Sequence, residues 1–260
     1  MRITPISAFT DNYIWSITQG SATDDGLTPC VIVDPGDAAP VLEWLHANNG
    51  YIAAILVTHH HYDHTGGVAT LLEQFPCPVY GPHSNKTNVI THPLHEGEQI
   101  SLLSDTLVLE VIECPGHTLD HISFYAAPYL FCGDTLFAAG CGRMFEGEPK
   151  QYLQSLDKLA GLPADTQIFC AHEYTLANLK FAAAVEPNNI AIQQRMKETS
   201  ELRANKLPTL PAELALEHAT NPFLRTNLPS VKRAAEAHVN KALTSSEAVF
   251  ACIREWKNSF

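Results

Sequence analysis

Lysine and arginine are almost missing from the first 142 residues: Arg2 and Lys86 stand alone there against 15 acids, whereas residues 143–260 hold 14 bases and 13 acids. The formal charge of the whole chain is −12. That balance argues against binding to nucleic acid or to an anionic membrane, since both need a basic footprint. Long hydrophobic runs are missing too. YIAAILV, at 51–57, is the longest and falls far short of the roughly 18–20 residues of a membrane span. The N-terminal MRITPISAFTDNYIW lacks the continuous apolar stretch of a secretory signal, so a cytoplasmic protein is expected. None of the seven cysteines forms a CxxC pair; Cys114, Cys132 and Cys170 sit in or at the end of apolar runs, as reduced, buried thiols would. There is no GxSxG elbow to supply a serine nucleophile. Gly140-Cys141-Gly142 is a poor dinucleotide fingerprint, because no G-x-G-x-x-G leads from a strand into a helix.

What is present is ample apolar material, 45% of residues against 17% charged, and an uneven supply of histidine, with ten of the 13 in residues 1–142. The length suits one large domain or one domain with a smaller companion. Up to about residue 172, short strand-like runs (RITPI, YIWSIT, CVIVD, AAILVTH) alternate with helical stretches at 39–48 and 67–75. Later runs, EQISL with TLVLEVIE and ISFYAA with YLFCGD, are joined by short connections, as antiparallel neighbours would be. Two mixed sheets with helices outside fit this pattern. After Tyr174 the strands are expected to stop. Residues 175–185, 189–205, 213–219, 230–239 and 245–257 read as helices separated by Pro and Asn signals, the last opened by a capping box at Thr244-Ser245-Ser246-Glu247.

The segment AAILVTHHHYDHTGG, 53–67, carries the chemistry. The apolar strand runs out at Val57; in an extended stretch after it alternate side chains share a face, so His59 and His61 can reach one cation together. Asp63 and His64, just beyond, can turn toward a second, and Gly66-Gly67 permits a tight turn. His60 should point away from the pair. Three other apolar runs end on a potential ligand, at His117, Asp134 and His172. Imidazole and carboxylate suit zinc and its first-row neighbours. One zinc takes about four ligands, so this set of seven suits two ions if Asp134 bridges them. His92 and His95 have ligand-like spacing, but the intervening proline makes a helical presentation doubtful.

THHHYDH at 58–64, Gly116-His117, GDT at 133–135 and AHEYT at 171–175 resemble the metallo-β-lactamase superfamily. Their order and spacing, with AGCGRMFEG at 139–147 and NLKFA at 178–182, are similar to glyoxalase II (hydroxyacylglutathione hydrolase) over essentially the whole chain. The resemblance implies an α/β fold: a four-layer αββα metallo-β-lactamase-like sandwich as the catalytic domain, 1–173, and a C-terminal all-α substrate-binding domain, 174–260. It implies two divalent metal ions per chain, zinc first, with iron or manganese accepted by the same ligands. His59, His61 and His117 would hold one, and Asp63, His64 and His172 the other, with Asp134 between them. A metal-bridging hydroxide held at Asp63 and Asp134 would be the nucleophile, since paired cations bring a bound water to its hydroxide form near neutral pH. The implied reaction is hydrolysis of S-(2-hydroxyacyl)glutathione, typically S-D-lactoylglutathione to D-lactate and glutathione, the second step of methylglyoxal detoxification. A thioester suits this machinery, because a thiolate leaves with little acid assistance.

Glutathione carries two carboxylates, and the family pattern places Arg143, Tyr174, Asn178, Arg254 and Lys257 around it. Arg254 and Lys257 lie three residues apart on the last helix, hence on one face, while Val249, Ile253 and Trp256 form a separate apolar stripe for docking. The chain departs from many relatives in having Phe145 for tyrosine and Arg143 for lysine; arginine's wider donor fork can compensate in part. The expected partner is a small-molecule glutathione thioester, with no nucleic acid, no membrane and a monomeric state. Competing readings are a mononuclear iron glutathione-persulfide dioxygenase of the same superfamily, a phosphodiesterase or nuclease, and an inactive metal-binding scaffold. The second-metal set and the helical C-terminus favour the hydrolase over the first, the sparse bases disfavour the second, and the full ligand set disfavours the third.

Overall fold

The alternating first half and the helical second half are both present in the computed structural model, which describes residues 1–18 and 26–260. The chain packs as two compact units, residues 1–113 with 120–133, and residues 114–119 with 134–260.

In the first unit, β1 (Arg2–Ala8), β2 (Asn12–Thr18), β3 (Thr28–Val33), β4 (Gly50–Leu56), β5 (Val79–Pro82) and β6 (His92–Leu94) form a sheet in chain order. The first three run antiparallel and β3 to β6 parallel. Helix α1 (Ala38–Ala47) makes the crossover between β3 and β4 that parallel neighbours require. Asp37 caps it by accepting from the Ala39 amide at 3.0 Å. Its Val41 and Leu45 pack with Val68 and Leu71 of α3 (Val68–Gln74) against Ile32, Ile52 and Ile55 of the sheet. The single turn α2 (Tyr62–Thr65) precedes α3. Four further strands, β7 (Gln99–Leu102), β8 (Leu107–Glu113), β9 (Ile122–Ala126) and β10 (Tyr129–Gly133), form an antiparallel meander with the expected hairpin pairings. Leu107, Leu109 and Val111 of β8 are buried while Val108 and Glu110 are exposed, the alternation of a sheet with one wet face.

The second unit opens with the hairpin β11 (Leu136–Phe137) and β12 (Gly140–Cys141). Helix α4 (Pro149–Ala160) follows, then β13 (Gln167–Cys170), α5 (Thr175–Val185), α6 (Ile190–Ala204), β14 (Ala212–Glu213), α7 (Leu214–Thr220), α8 (Pro229–Val239) and α9 (Ser246–Asn258). The five C-terminal helices lie within a residue of their expected bounds. Helix α4 was not foreseen, although it has Pro at its first position and a buried Tyr152, Ser155, Leu156, Leu159 stripe at helical spacing. Strand pairing also does not stop at Tyr174, since β14 pairs antiparallel with β13; two residues are too few to show a period. The capping box is one-sided. Ser245 accepts from the Ala248 amide at 3.1 Å, which puts Ala248 at the third helical position and Glu247 one residue short of closing the box. No disulfide links the seven cysteines, five of which are buried, and burial pushes the Cys30 and Cys170 thiols up to about 12. Among the described residues no helix is long and apolar enough to cross a membrane.

Candidate metal centre

The histidine motif lies just beyond its strand, as expected. β4 ends at Leu56, residues 57–61 are irregular, and α2 begins directly after His61. The stretch that follows the strand is bent rather than extended, so alternation along it does not by itself pair His59 with His61. The loop nonetheless brings His59 Nε2 within 3.0 Å of His61 Nδ1. His60 turns to Asp120, its Nδ1 2.9 and 3.0 Å from the two carboxylate oxygens.

The buried Asp34, at the end of β3, organises this loop. It accepts from the Thr58 amide at 2.7 Å, from the Thr58 hydroxyl at 2.8 Å and from His64 Nδ1 at 3.0 Å. The Thr58 hydroxyl, having donated its hydrogen to Asp34, accepts from His59 Nδ1 at 3.0 Å. Both imidazoles thus carry their proton on Nδ1 and present Nε2 as a lone pair, the arrangement that prepares a histidine for a metal. Asp63 is oriented by Asn12, which donates to its Oδ2 at 3.0 Å, and the same oxygen lies 3.4 Å from His64 Nε2. Gly66 and Gly67 are in ordinary right-handed conformation, with φ of −61° and −85°. They are needed for clearance rather than for a turn: a Cβ on Gly67 would strike the main chain of Pro35, Asp37 and Ala38, and one on Gly66 the Gly36 carbonyl.

In the second unit three separate connections meet. Asp134 Oδ2 lies 3.4 Å from His117 Nε2 and its Oδ1 3.3 Å from His172 Nε2. His117 Nδ1 donates to the Arg143 carbonyl at 2.7 Å, so its Nε2 also presents a lone pair. His172 is stacked on the Tyr174 ring, centroids 4.8 Å apart and planes 4° from parallel, with Phe137 edge-on to both. The fully buried Tyr152 holds its hydroxyl 2.9 Å from the Thr135 carbonyl and 3.2 Å from that of Asp134.

The residues expected at the substrate belong to this unit as well. Arg254 is only 5% exposed and donates to the carbonyls of Cys141 at 2.8 Å and Gly142 at 3.2 Å; its Nε is buried without a hydrogen-bond partner. Lys257 is half-buried, 5.3 Å from the centroid of Phe181, and reaches the Ala177 carbonyl at 3.4 Å. Burial and the neighbouring Arg254 guanidinium hold its ammonium below the ordinary lysine value. Asn178 is buried and donates to the Ala138 carbonyl at 3.1 Å. Arg143 is exposed and lies over the Phe145 ring, itself 59% exposed and edge-on to His117.

Asp34 was missed in the sequence, though CVIVD ends on an acid as the noted runs end on theirs. His92 and His95 show no joint site; the His92 ring contacts Thr91 and Tyr80, and the His95 ring faces Glu113 while its amide donates to Glu98. His and Asp side chains drawn from the candidate residues form groups able to hold a metal ion.

A model of the metallo-β-lactamase superfamily matches residues 25–172, and a model of the hydroxyacylglutathione hydrolase C-terminus matches residues 173–260. The chain is 51% identical over 259 residues to a hydroxyacylglutathione hydrolase of Idiomarina loihiensis, with both chains covered in full. Among solved structures, a B3 metallo-β-lactamase shares the fold at a TM-score of 0.59 and 22% identity, over 86% of this chain and 98% of that one. A protein crystallised in a di-iron-bound form is 27% identical with a TM-score of 0.52, over 65% and 91% of the two chains. The fold is thus the α/β metallo-β-lactamase fold with a helical C-terminal domain, and the full-length relative favours a hydrolase over the persulfide dioxygenase. The chain belongs to the hydroxyacylglutathione hydrolase family, whose members are thioester hydrolases of the metallo-β-lactamase superfamily.

Proposed function

We propose that the chain hydrolyses S-(2-hydroxyacyl)glutathione, with S-D-lactoylglutathione as the typical substrate, using two divalent metal ions. The observation that carries this reading is Asp134, whose two carboxylate oxygens face two different histidines at 3.3 and 3.4 Å. A carboxylate so flanked suits the shared ligand of a pair of ions. One ion would take His59, His61 and His117, the other Asp63, His64 and His172. Zinc is placed first, and the di-iron form of a relative supports a pair of ions and keeps iron in contention. When bound, such ions activate water and take up charge on a polarised carbonyl oxygen.

The chain's own residues do the orienting. Asp34, through Thr58, fixes the tautomers of His59 and His64; the Arg143 carbonyl fixes that of His117. Asn12 sets the rotation of Asp63, whose carboxylate would orient the attacking water. Arg143, Tyr174, Asn178, Arg254 and Lys257 would hold the glutathione part. The partnerless Arg254 Nε and the lowered Lys257 support this, because a carboxylate would satisfy the one and relieve the other. We place the catalytic part at 1–173 and the helical substrate-binding part at 174–260, in a monomer of the cytoplasm with no nucleic-acid or membrane partner.

A thiol-release assay comparing lactoylglutathione with a thioester lacking glutathione tests the reading, together with elemental analysis of the purified protein. Preferential turnover of the glutathione thioester and about two metals per chain are expected. Oxygen consumption with glutathione persulfide, without thioester turnover, would overturn it.

A further inference from the structure

Glu217 of α7 is completely buried, and its carboxylate faces the turn of the hairpin β11–β12. Its Oε2 accepts from the Ala139 amide at 2.7 Å and from the Asn221 side chain at 3.0 Å; its Oε1 takes Arg195 at 2.5 Å. Asn221 also donates to the Gly140 carbonyl at 2.9 Å and reaches that of Phe137 at 3.2 Å. Asn178 holds the Ala138 carbonyl and Arg254 that of Cys141. Ala139 sits at φ 55°, a left-handed conformation that a residue other than glycine keeps only when its surroundings enforce it. The hairpin starts two residues after Asp134, and its Phe137 packs edge-on against both His172 and Tyr174.

We propose that Glu217 is a positioning residue for the Asp134–His172 pair, acting through the Ala139 amide and the Phe137 ring. This rests on the metal-dependent reading above. Arg195 neutralises the buried carboxylate and so lets an acceptor stand where the strained turn needs one. A neutral acceptor of the same shape should serve as well, whereas an apolar side chain should not.

Two double variants separate these cases: Arg195→Gln with Glu217→Gln, an amide pair that keeps an acceptor for Ala139, and Arg195→Met with Glu217→Met, an apolar pair that does not. The amide pair should stay within about threefold of the parent in every readout. The apolar pair should lose roughly 10–100-fold in metal affinity by chelator competition, the range for residues behind a ligand. Its kcat should fall by a similar factor with KM unchanged, and in the metal-free protein the amides of residues 136–142 should exchange faster. Phe137→Leu, which leaves Glu217 intact, should reproduce the metal and kcat losses should the apolar pair fail to fold. Equal metal affinity and equal hairpin exchange in the two double variants would overturn the proposal, as would an unaffected Phe137→Leu or a loss confined to KM. A parent protein that binds no metal would instead break the functional reading, and the exchange comparison would still decide whether Glu217 holds the hairpin.

Discussion

The two sets of proposed metal ligands are built in opposite ways. His59, His61, Asp63 and His64 leave one stretch of chain after a single parallel strand, and side chains aim three of them: Asp34 and Thr58 behind His59 and His64, Asn12 behind Asp63. His117, Asp134 and His172 come from three separate connections, and main chain and rings aim them: the Arg143 carbonyl behind His117, Tyr174 and Phe137 against His172. Side-chain support makes the first set vulnerable to single substitutions behind it. Main-chain support makes His117 insensitive to the identity of the side chain behind it, whereas His172 depends on the rings of Tyr174 and Phe137 and on the hairpin that carries Phe137.

The largest effect expected is on Asp134, the residue on which the second set converges. Asp134→Ala should remove most bound metal and lower kcat/KM by about a thousand-fold or more, several kcal/mol of transition-state stabilisation. Metal content and steady-state kinetics measure both. Should Asp134→Ala retain as much metal as His61→Ala, Asp134 would be one ligand among several rather than the shared one.

Next comes the support itself. Asp34→Ala strips acceptors from the buried Thr58 amide, the Thr58 hydroxyl and His64 together. A loss of about 3 kcal/mol in unfolding free energy is expected from hydrogen bonds to a buried charge, with a roughly 10–100-fold drop in metal affinity. Arg143→Ala should leave metal affinity unchanged, because the acceptor it offers His117 is its carbonyl. If both substitutions weaken metal alike, the contrast between side-chain and main-chain support is wrong.

The same contrast explains what could be read in the sequence. His59 to His64 announce themselves because four proposed ligands crowd into six positions, whereas His117, Asp134 and His172 each look like an ordinary loop residue until the first cluster or a family pattern gathers them. Strands β3 and β4 and helices α5 to α9 were legible through period and punctuation. Helix α4 went unseen because its Lys, Gln and Asp residues dilute a narrow buried stripe, although Pro149 marks its start. Glu217 and Arg195 could not be read at all. Their charge on helical stretches reads as solvent-facing, and only the fold reveals that α6 and α7 bury it together. Arg254 was legible as a cation on the docking helix but not as a buried clamp on Cys141 and Gly142, which lie 113 and 112 residues away in the chain.

That double role of Arg254 sharpens the comparison further. Arg254→Ala should raise KM for glutathione thioesters with little change in kcat, and should also cost about 2 kcal/mol of stability by leaving two carbonyls without their donor. Thermal unfolding and KM measured on the same preparation separate the effects. An unchanged KM with lowered stability would make Arg254 a clamp alone and remove it from the proposed glutathione site.

The smallest effect expected lies at the far end of α5, away from Tyr174 and Asn178. Glu186 is buried there, and burial by itself would raise its pKa. Hydrogen bonds from Arg225, at 2.7 and 3.0 Å, and from Ser230, at 2.7 Å, outweigh that and hold it below the ordinary glutamate value. A carboxylate with a depressed folded pKa adds stability in full above its unfolded value and loses it as pH falls through the folded one. Arg225→Met should therefore destabilise by about 1.5 kcal/mol at neutral pH, the lower end for hydrogen bonds to a charge. The difference from the parent should shrink as the solution is acidified through the depressed value, while kcat and KM at neutral pH stay as they were. Denaturant unfolding across an acid series measures the first, and a shift in kcat would show that this end of the helical unit is coupled to the metal ligands after all.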